Sequence, residues 1–258
     1  MKIISETIQT ALFQQIKISI IVSDMTINNM ADIKGKFTMI TQHIKARFNQ
    51  IDQVFSLQKS ASLVNRFKNG DTRPLFHSHD FQAVYSLART SKEVTDGYFD
   101  PFDGGRYNPS DLIKSWAVDQ VFARYLKTLI NGPVVGIMIE ADGIIQTAVA
   151  KNSRLHWPIL VHDSYTGGGL LEKYQLAGGG IVTVNAQTTK RMQSAIKQLT
   201  IISDRVSDAT MWAIAGLNAG TNRFLRLINQ KRLSGILIDR ALGVIGFESG
   251  KLRYKQVS

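Results

Sequence analysis

Residues 95–121 hold the densest collection of side chains that could do chemistry. They read Thr-Asp-Gly-Tyr-Phe-Asp-Pro at 95–101 and, after a short loop, Asn-Pro-Ser-Asp-Leu-Ile-Lys-Ser-Trp-Ala-Val-Asp at 108–119. Gly97 and Pro101 bracket an aromatic run with one carboxylate, Asp100, while Pro109 and Ser110 open a helix that carries Lys114, Trp116 and Asp119. A loop carboxylate and a helix lysine about one hairpin apart suit a flat, charged, partly aromatic ligand. Each residue alone has a plainer reading. A lysine near a helix start is more often a solvated charge, Tyr98 and Phe99 can simply anchor a loop, and Trp116 reads as core. Asp208, early in a later helix, is favoured there by the helix dipole without any ligand.

In these residues the chain resembles the ApbE-like flavin transferases, enzymes that move an FMN unit from FAD onto a threonine or serine of a target flavoprotein. Their T-D-G-x-F-D-P segment is matched at Thr95–Pro101, and their D-P-S-G-[LI]-[VI]-K-G-[WY]-A-V-D segment is resembled at Asn108–Asp119. Upstream, Ile51–Ser56 and Ser62–Phe67 resemble the I-D-x-x-F-S and S-x-L-x-x-[LF]-N elements. Downstream, Ser207-Asp208-Ala209 resembles an A-D-A metal element, so the likeness spans roughly residues 40 to 220. The resemblance implies an ApbE-like fold, with FAD and magnesium as ligands and a flavoprotein acceptor as partner. It assigns the Asp208 carboxylate and the main-chain carbonyl of Ala117 to the metal. It assigns Tyr98, Phe99, Asp100, Lys114 and Gln120 to the FAD pocket.

The pattern is broken at several points. Trp212 stands where the family has a metal-binding threonine, and Asp111 and Ser115 replace glycines around the lysine. Asp142-Gly143-Ile144 stands in place of a glycine-glycine-aspartate turn, and 188–206 holds no counterpart of the histidine-containing segment that precedes the metal aspartate. No methionine-glycine-threonine element precedes the early strand, leaving Ala11-Leu12-Phe13 or its neighbours in that place. Two expectations therefore stand: an FAD:protein FMN transferase, or a catalytically degenerate relative that binds flavin or another protein.

The elements that must position these residues can be read from periodicity. Ile16–Val22 is apolar and β-branched and predicts the first strand. Ile40, Ile44, Phe48, Ile51 and Phe55 recur at helical spacing within 38–55. His77-Ser78-His79-Asp80 could hold a metal, but Ser78 or Asp80 is better explained as the cap of a helix over 81–94. A strong helix is expected to run over 115–130 and stop at Asn131-Gly132-Pro133. From 134 to 185 short β-branched runs at 134–140, 143–150, 157–161 and 181–184 predict an antiparallel meander. Gly167-Gly168-Gly169 and Gly178-Gly179-Gly180 read as hairpin turns within it, since neither precedes a phosphate-loop lysine. Helices at 207–217 and 222–230 follow, then strands at 235–238, 244–247 and 252–254. This mixed order argues an α+β domain, 1–258, built on a mainly antiparallel sheet.

Composition sets the outer bounds. With 258 residues, 44% apolar and 20% charged, the chain can bury a sizeable core. It has no cysteine, which excludes disulfides, thiolate catalysis and cysteine-ligated metals. Polar residues interrupt 1–22, so no membrane span is expected and a cytoplasmic location is. The net charge of +11 attracts polyanions in general, yet no zinc finger, RNA-binding aromatic signature or basic zipper is present, and a nucleic-acid partner is not expected.

Overall fold

The structure, a computed structural model, describes residues 1–23, 30–165 and 168–255, with side chains through Arg253. Its frame is a nine-stranded antiparallel sheet in the order β1-β2-β3-β4-β7-β8-β9-β10-β11. The strands are β1 (Lys2–Ile8), β2 (Ile16–Val22), β3 (Val134–Ala141), β4 (Ile144–Val149), β7 (Gly178–Asn185), β8 (Ile196–Ser203), β9 (Ser234–Asp239), β10 (Gly243–Glu248) and β11 (Lys251–Lys255). A separate ribbon pairs β5 (Trp157–His162) with β6 (Leu170–Leu176).

The alternation of side chains across each strand sends them to two different cores. Ile16, Ile18, Ile20 and Val22 of β2 and Leu237 of β9 join the large core under the helices. Their neighbours Ile21, Ile236 and Ile238 face the other way, where Trp157, Ile159 and Val161 of the ribbon cover them. The expected meander over 134–185 is thus divided: β5 leaves the sheet to pair with β6, and β4 pairs directly with β7. Strands β1 and β8 carry no strong alternating pattern and were not legible in the sequence, although Ile4 and Ile8 face the core.

Helix α1 (Met30–Phe55) buries Ile33, Phe37, Ile44, Phe48, Ile51 and Phe55 along one stripe, longer than the periodic stretch foretold. The short helices α2 (Leu63–Lys68) and α3 (Pro74–His77) lead to α4 (His79–Val94), whose N-cap is Ser78, accepting the Phe81 N–H. Next comes α5 (Ser110–Val121), continued by a π-turn at Phe122–Leu126 and a 3-10 turn at Lys127–Leu129. After β8 come α6 (Val206–Ala219) and α7 (Thr221–Lys231), separated by Gly220 at φ 72°. No described helix is long and apolar enough to cross a membrane.

Gly178-Gly179-Gly180, expected as a turn, lies within β7. A Cβ on Gly180 would stand 2.4 Å from Val206 Cγ1 and 2.5 Å from Gln146 Oε1, so the bare backbone is what lets the start of α6 sit down on the sheet. Of the other triplet, Gly167 lies outside the described residues, while Gly168 has φ 92°, consistent with a turn.

Candidate functional site

The segment 95–107 is built by its own hydrogen bonds. The hydroxyl of Thr95 donates to the Ser91 carbonyl at 2.7 Å and accepts the Phe99 N–H at 3.0 Å. Asp96 and Gly97 take positive φ, 53° and 80°, which reverses the chain at the end of α4. Asp100 Oδ1 accepts the Phe102 N–H at 2.8 Å and its Oδ2 pairs with Lys92 at 2.8 Å. Burial pushes the Asp100 carboxyl up, but Lys92 and the Phe102 N–H outweigh it and hold the group below its ordinary range. The Asn108 N–H closes the loop on the Pro101 carbonyl at 2.7 Å and leads the chain into α5. Phe99 is buried, and behind the loop Phe67, Tyr85, Phe102 and Tyr107 pack edge-on or stacked with ring centroids 5.2–5.7 Å apart.

This loop and the first turn of α5 wall a cleft of about 940 Å³. Phe99 and Asp100 line one side, Asn108 and Asp111 another, and Ile214 and Asn218 of α6 a third. Arg191, from the β7–β8 connection, closes it. Its Nη2 pairs with Asp111 Oδ2 at 2.8 Å, its Nε donates to Asn218 Oδ1 at 2.8 Å and its Nη1 to the Thr189 carbonyl at 3.0 Å. The negative charge that Asp111 brings to the start of α5 is therefore neutralised. Arg191 escaped sequence reasoning because nothing in 188–206 signals a partner 80 residues earlier.

Helices α5 and α6 pack antiparallel, which Asp119 enforces at the other end. Its two carboxylate oxygens accept the Val206 and Ser207 N–H groups, both at 3.1 Å, and so cap α6 from a neighbouring helix. Burial raises the Asp119 pKa, opposed by the Ser207 and Val206 hydrogen bonds and the Arg205 charge. With 119 beside 206 and Arg191 bridging 111 to 218, Ala117 and Asp208 fall at about the same level, removed from the cleft by six residues of helix, or about 9 Å.

The other sequence-derived candidates are dispersed around this frame. Lys114 does not line the cleft: its ammonium pairs with Asp142 in the β3–β4 turn and lies 5.4 Å from the ring of Phe13, in the turn between β1 and β2. Tyr98 turns away from Phe99. Its hydroxyl accepts from Arg223 of α7, and its carbonyl accepts from Asn218 at 2.7 Å. Gln120 is partly exposed near the end of α5, and Ala117 is wholly buried on it. Asp208 is half-buried; burial raises its pKa, with Arg205 opposing and Asp204 adding to the rise. It accepts no hydrogen bond among the described residues.

A magnesium ion needs oxygen ligands but is satisfied by one or two carboxylates if water and phosphate supply the rest. Ala117 lies wholly buried within α5, while Asp208, which accepts no hydrogen bond among the described residues, offers one such carboxylate. One turn on, Trp212 offers an indole in place of an oxygen, with the Lys231 ammonium 5.9 Å from its ring. Among the described residues no three acidic or histidine side chains gather as a metal cluster.

No family model and no curated protein matches the chain in sequence. Solved structures do match in shape. The ApbE protein of Thermotoga maritima superposes with a TM-score of 0.75 at 16% identity, over 96% of this chain and 97% of that one. Flavinyl transferase ApbE of Pseudomonas stutzeri, in apo form, gives 0.71 at 16% identity over 96% and 94%. Flavin transferase ApbE of Vibrio cholerae gives 0.71 at 15% identity over 96% and 97%. The chain therefore has the ApbE fold.

Proposed function

We propose that this protein handles a flavin nucleotide as a flavin transferase does, moving FMN from FAD to a threonine or serine hydroxyl of an acceptor flavoprotein. The observation that carries the reading is the meeting, on an ApbE fold, of the aromatic loop and the first turn of α5 in one cleft of about 940 Å³. In that reaction the acceptor oxygen attacks the FMN phosphorus and the bond to the AMP oxygen breaks. AMP leaves, and the hydroxyl proton passes to solvent or a base. Catalysis of such a step rests on positioning and on neutralising phosphate charge.

In this reading Phe99 and Asp100 meet the nucleotide in the cleft, Lys114 and Gln120 contact it where it extends beyond, and Tyr98, expected from the resemblance to touch it, instead steadies the loop through Arg223 and Asn218. Lys114 must exchange Asp142 for a phosphate to do so. Asp208 and the Ala117 carbonyl would hold magnesium, which when bound supplies positive charge to the diphosphate. A second reading, a relative that binds flavin without transfer, is favoured by Trp212, whose indole and neighbouring Lys231 stand one helical turn from Asp208.

Titration with FAD, followed by flavin fluorescence with and without magnesium chloride, tests binding. Addition of a flavoprotein acceptor, followed by AMP release and covalent flavin on a denaturing gel, tests transfer. Binding with transfer supports the first reading and binding alone the second, whereas an unchanged flavin signal at millimolar FAD rejects both.

A further inference from the structure

On the far side of the aromatic loop lies a second groove, about 390 Å³, between that loop and α7. Its floor is Tyr98 and Leu227, and its walls are Arg223, Arg226 and Gln230, which form one outward stripe of α7, with Asp96 across from them. The adjoining face, Phe224 and Ile228, is buried in the main core together with most of Leu227. Helix α7 is thus fixed in place, and its basic stripe is free of structural duty to the sheet.

The two guanidinium groups are poised for an anion. Arg223 donates to the Tyr98 hydroxyl and lies 5.9 Å from that ring, and Arg226 makes one long contact, 3.4 Å, to the Asn222 carbonyl. Neither forms an ion pair with a carboxylate among the described residues. Lys231 and Arg232 follow at the end of the same helix, and the whole chain carries +11. Against these stands the single carboxylate of Asp96.

Position gives the groove its meaning. Tyr98 forms its floor, while the next two residues, Phe99 and Asp100, wall the cleft. Asn218 holds the Tyr98 carbonyl with one end of its amide and Arg191 with the other. An occupant of the groove therefore sits one residue from the cleft wall.

We propose that this groove docks an acidic segment of the acceptor protein. The identification of the occupant as the acceptor rests on the flavin-transferase reading. The chemistry of the segment does not: carboxylates engage the Arg223 and Arg226 forks, while the Tyr98 ring accepts an apolar neighbour. A nucleic acid is a poorer fit, because it asks for a longer row of cations than a groove bordered by Asp96 provides.

The test uses a short fluorescein-labelled oligoglutamate peptide, read by anisotropy at low salt. Arg226→Gln and Gln230→Glu are expected to weaken binding about fivefold, and Gln230→Lys to tighten it by a similar factor, with all differences shrinking in salt. The FAD fluorescence response of the same variants is expected to stay at the parent level, which separates lost docking from lost folding. Absence of peptide binding, equal affinity across the variants, or displacement of the peptide by an equally charged single-stranded oligonucleotide at lower concentration overturns the proposal. If the peptide behaves as expected but FAD produces no fluorescence change, the groove stands as an acidic-peptide site and its assignment to a flavin acceptor falls.

Discussion

At the residue scale, the residues of 95–101 are divided between architecture and contact. Thr95, Asp96 and Gly97 build the reversal after α4. Asp100 is held by Lys92 and the Phe102 N–H. Phe99 and Asp100 nevertheless also present themselves to the cleft. Asp208 is different, because its carboxylate accepts no hydrogen bond among the described residues and has only the Arg205 charge and the start of α6 to favour it. Its folded-state pKa is raised, mainly by burial, so ionising it costs stability. That cost is absent below the unfolded value of 3.8 and grows as pH rises through the raised folded value. Asp208→Asn is accordingly expected to unfold at an equal or higher temperature than the parent at neutral pH without metal, with the gap closing below about pH 4. Thermal unfolding across pH checks this; a variant less stable at neutral pH would mean that the carboxylate has a partner in the protein.

At the scale of elements, the antiparallel pairing of α5 with α6 is what sets Ala117 level with Asp208. Asp119 supplies one end of that pairing through the Val206 and Ser207 N–H groups. Asp119→Ala leaves both unpaired and is expected to cost about 2 kcal/mol in urea unfolding, with Asp119→Asn less damaging because one acceptor survives. Gly180 sets the same helix against the sheet. Gly180→Ala forces a methyl to within 2.4 Å of Val206 Cγ1 and 2.5 Å of the Gln146 amide oxygen, and is expected to destabilise by about 2 kcal/mol. Gly35, mid-way in the first part of α1 with open space around its would-be Cβ, provides the contrast: Gly35→Ala is expected to stabilise by about 1 kcal/mol. Equilibrium denaturation of both variants distinguishes a contact limit from a propensity effect.

Across the whole molecule, the sheet is clad by helices on one face and by the β5–β6 ribbon on the other. Trp157 is the largest side chain the ribbon buries, packed with Ile159 and Val161 against Ile21, Ile181, Ile236 and Ile238. Trp157→Ala is expected to cost about 3–5 kcal/mol in urea unfolding. A cost near zero would show that the ribbon contributes little to holding the fold.

The sequence by itself determined the α+β class, most helices, the antiparallel strands with clean β-branched runs, and the stretch that walls the cleft. Local rules carry that information: helical spacing in Ile44, Phe48 and Ile51, the cap at Ser78, the turn at Asp142-Gly143. It did not determine strand β8, the departure of β5 and β6 from the main sheet, or the role of Gly178–Gly180, because each depends on what lies opposite in space. The site divides the same way. Phe99 and Asp100 were legible from spelling, but Arg191 is held at the cleft by bonds to Asp111 and Asn218, and Lys114 and Tyr98 are drawn aside by Asp142 and Arg223. Charge partners tens of residues away decide where a long side chain points, and only the tertiary structure brings them within reach.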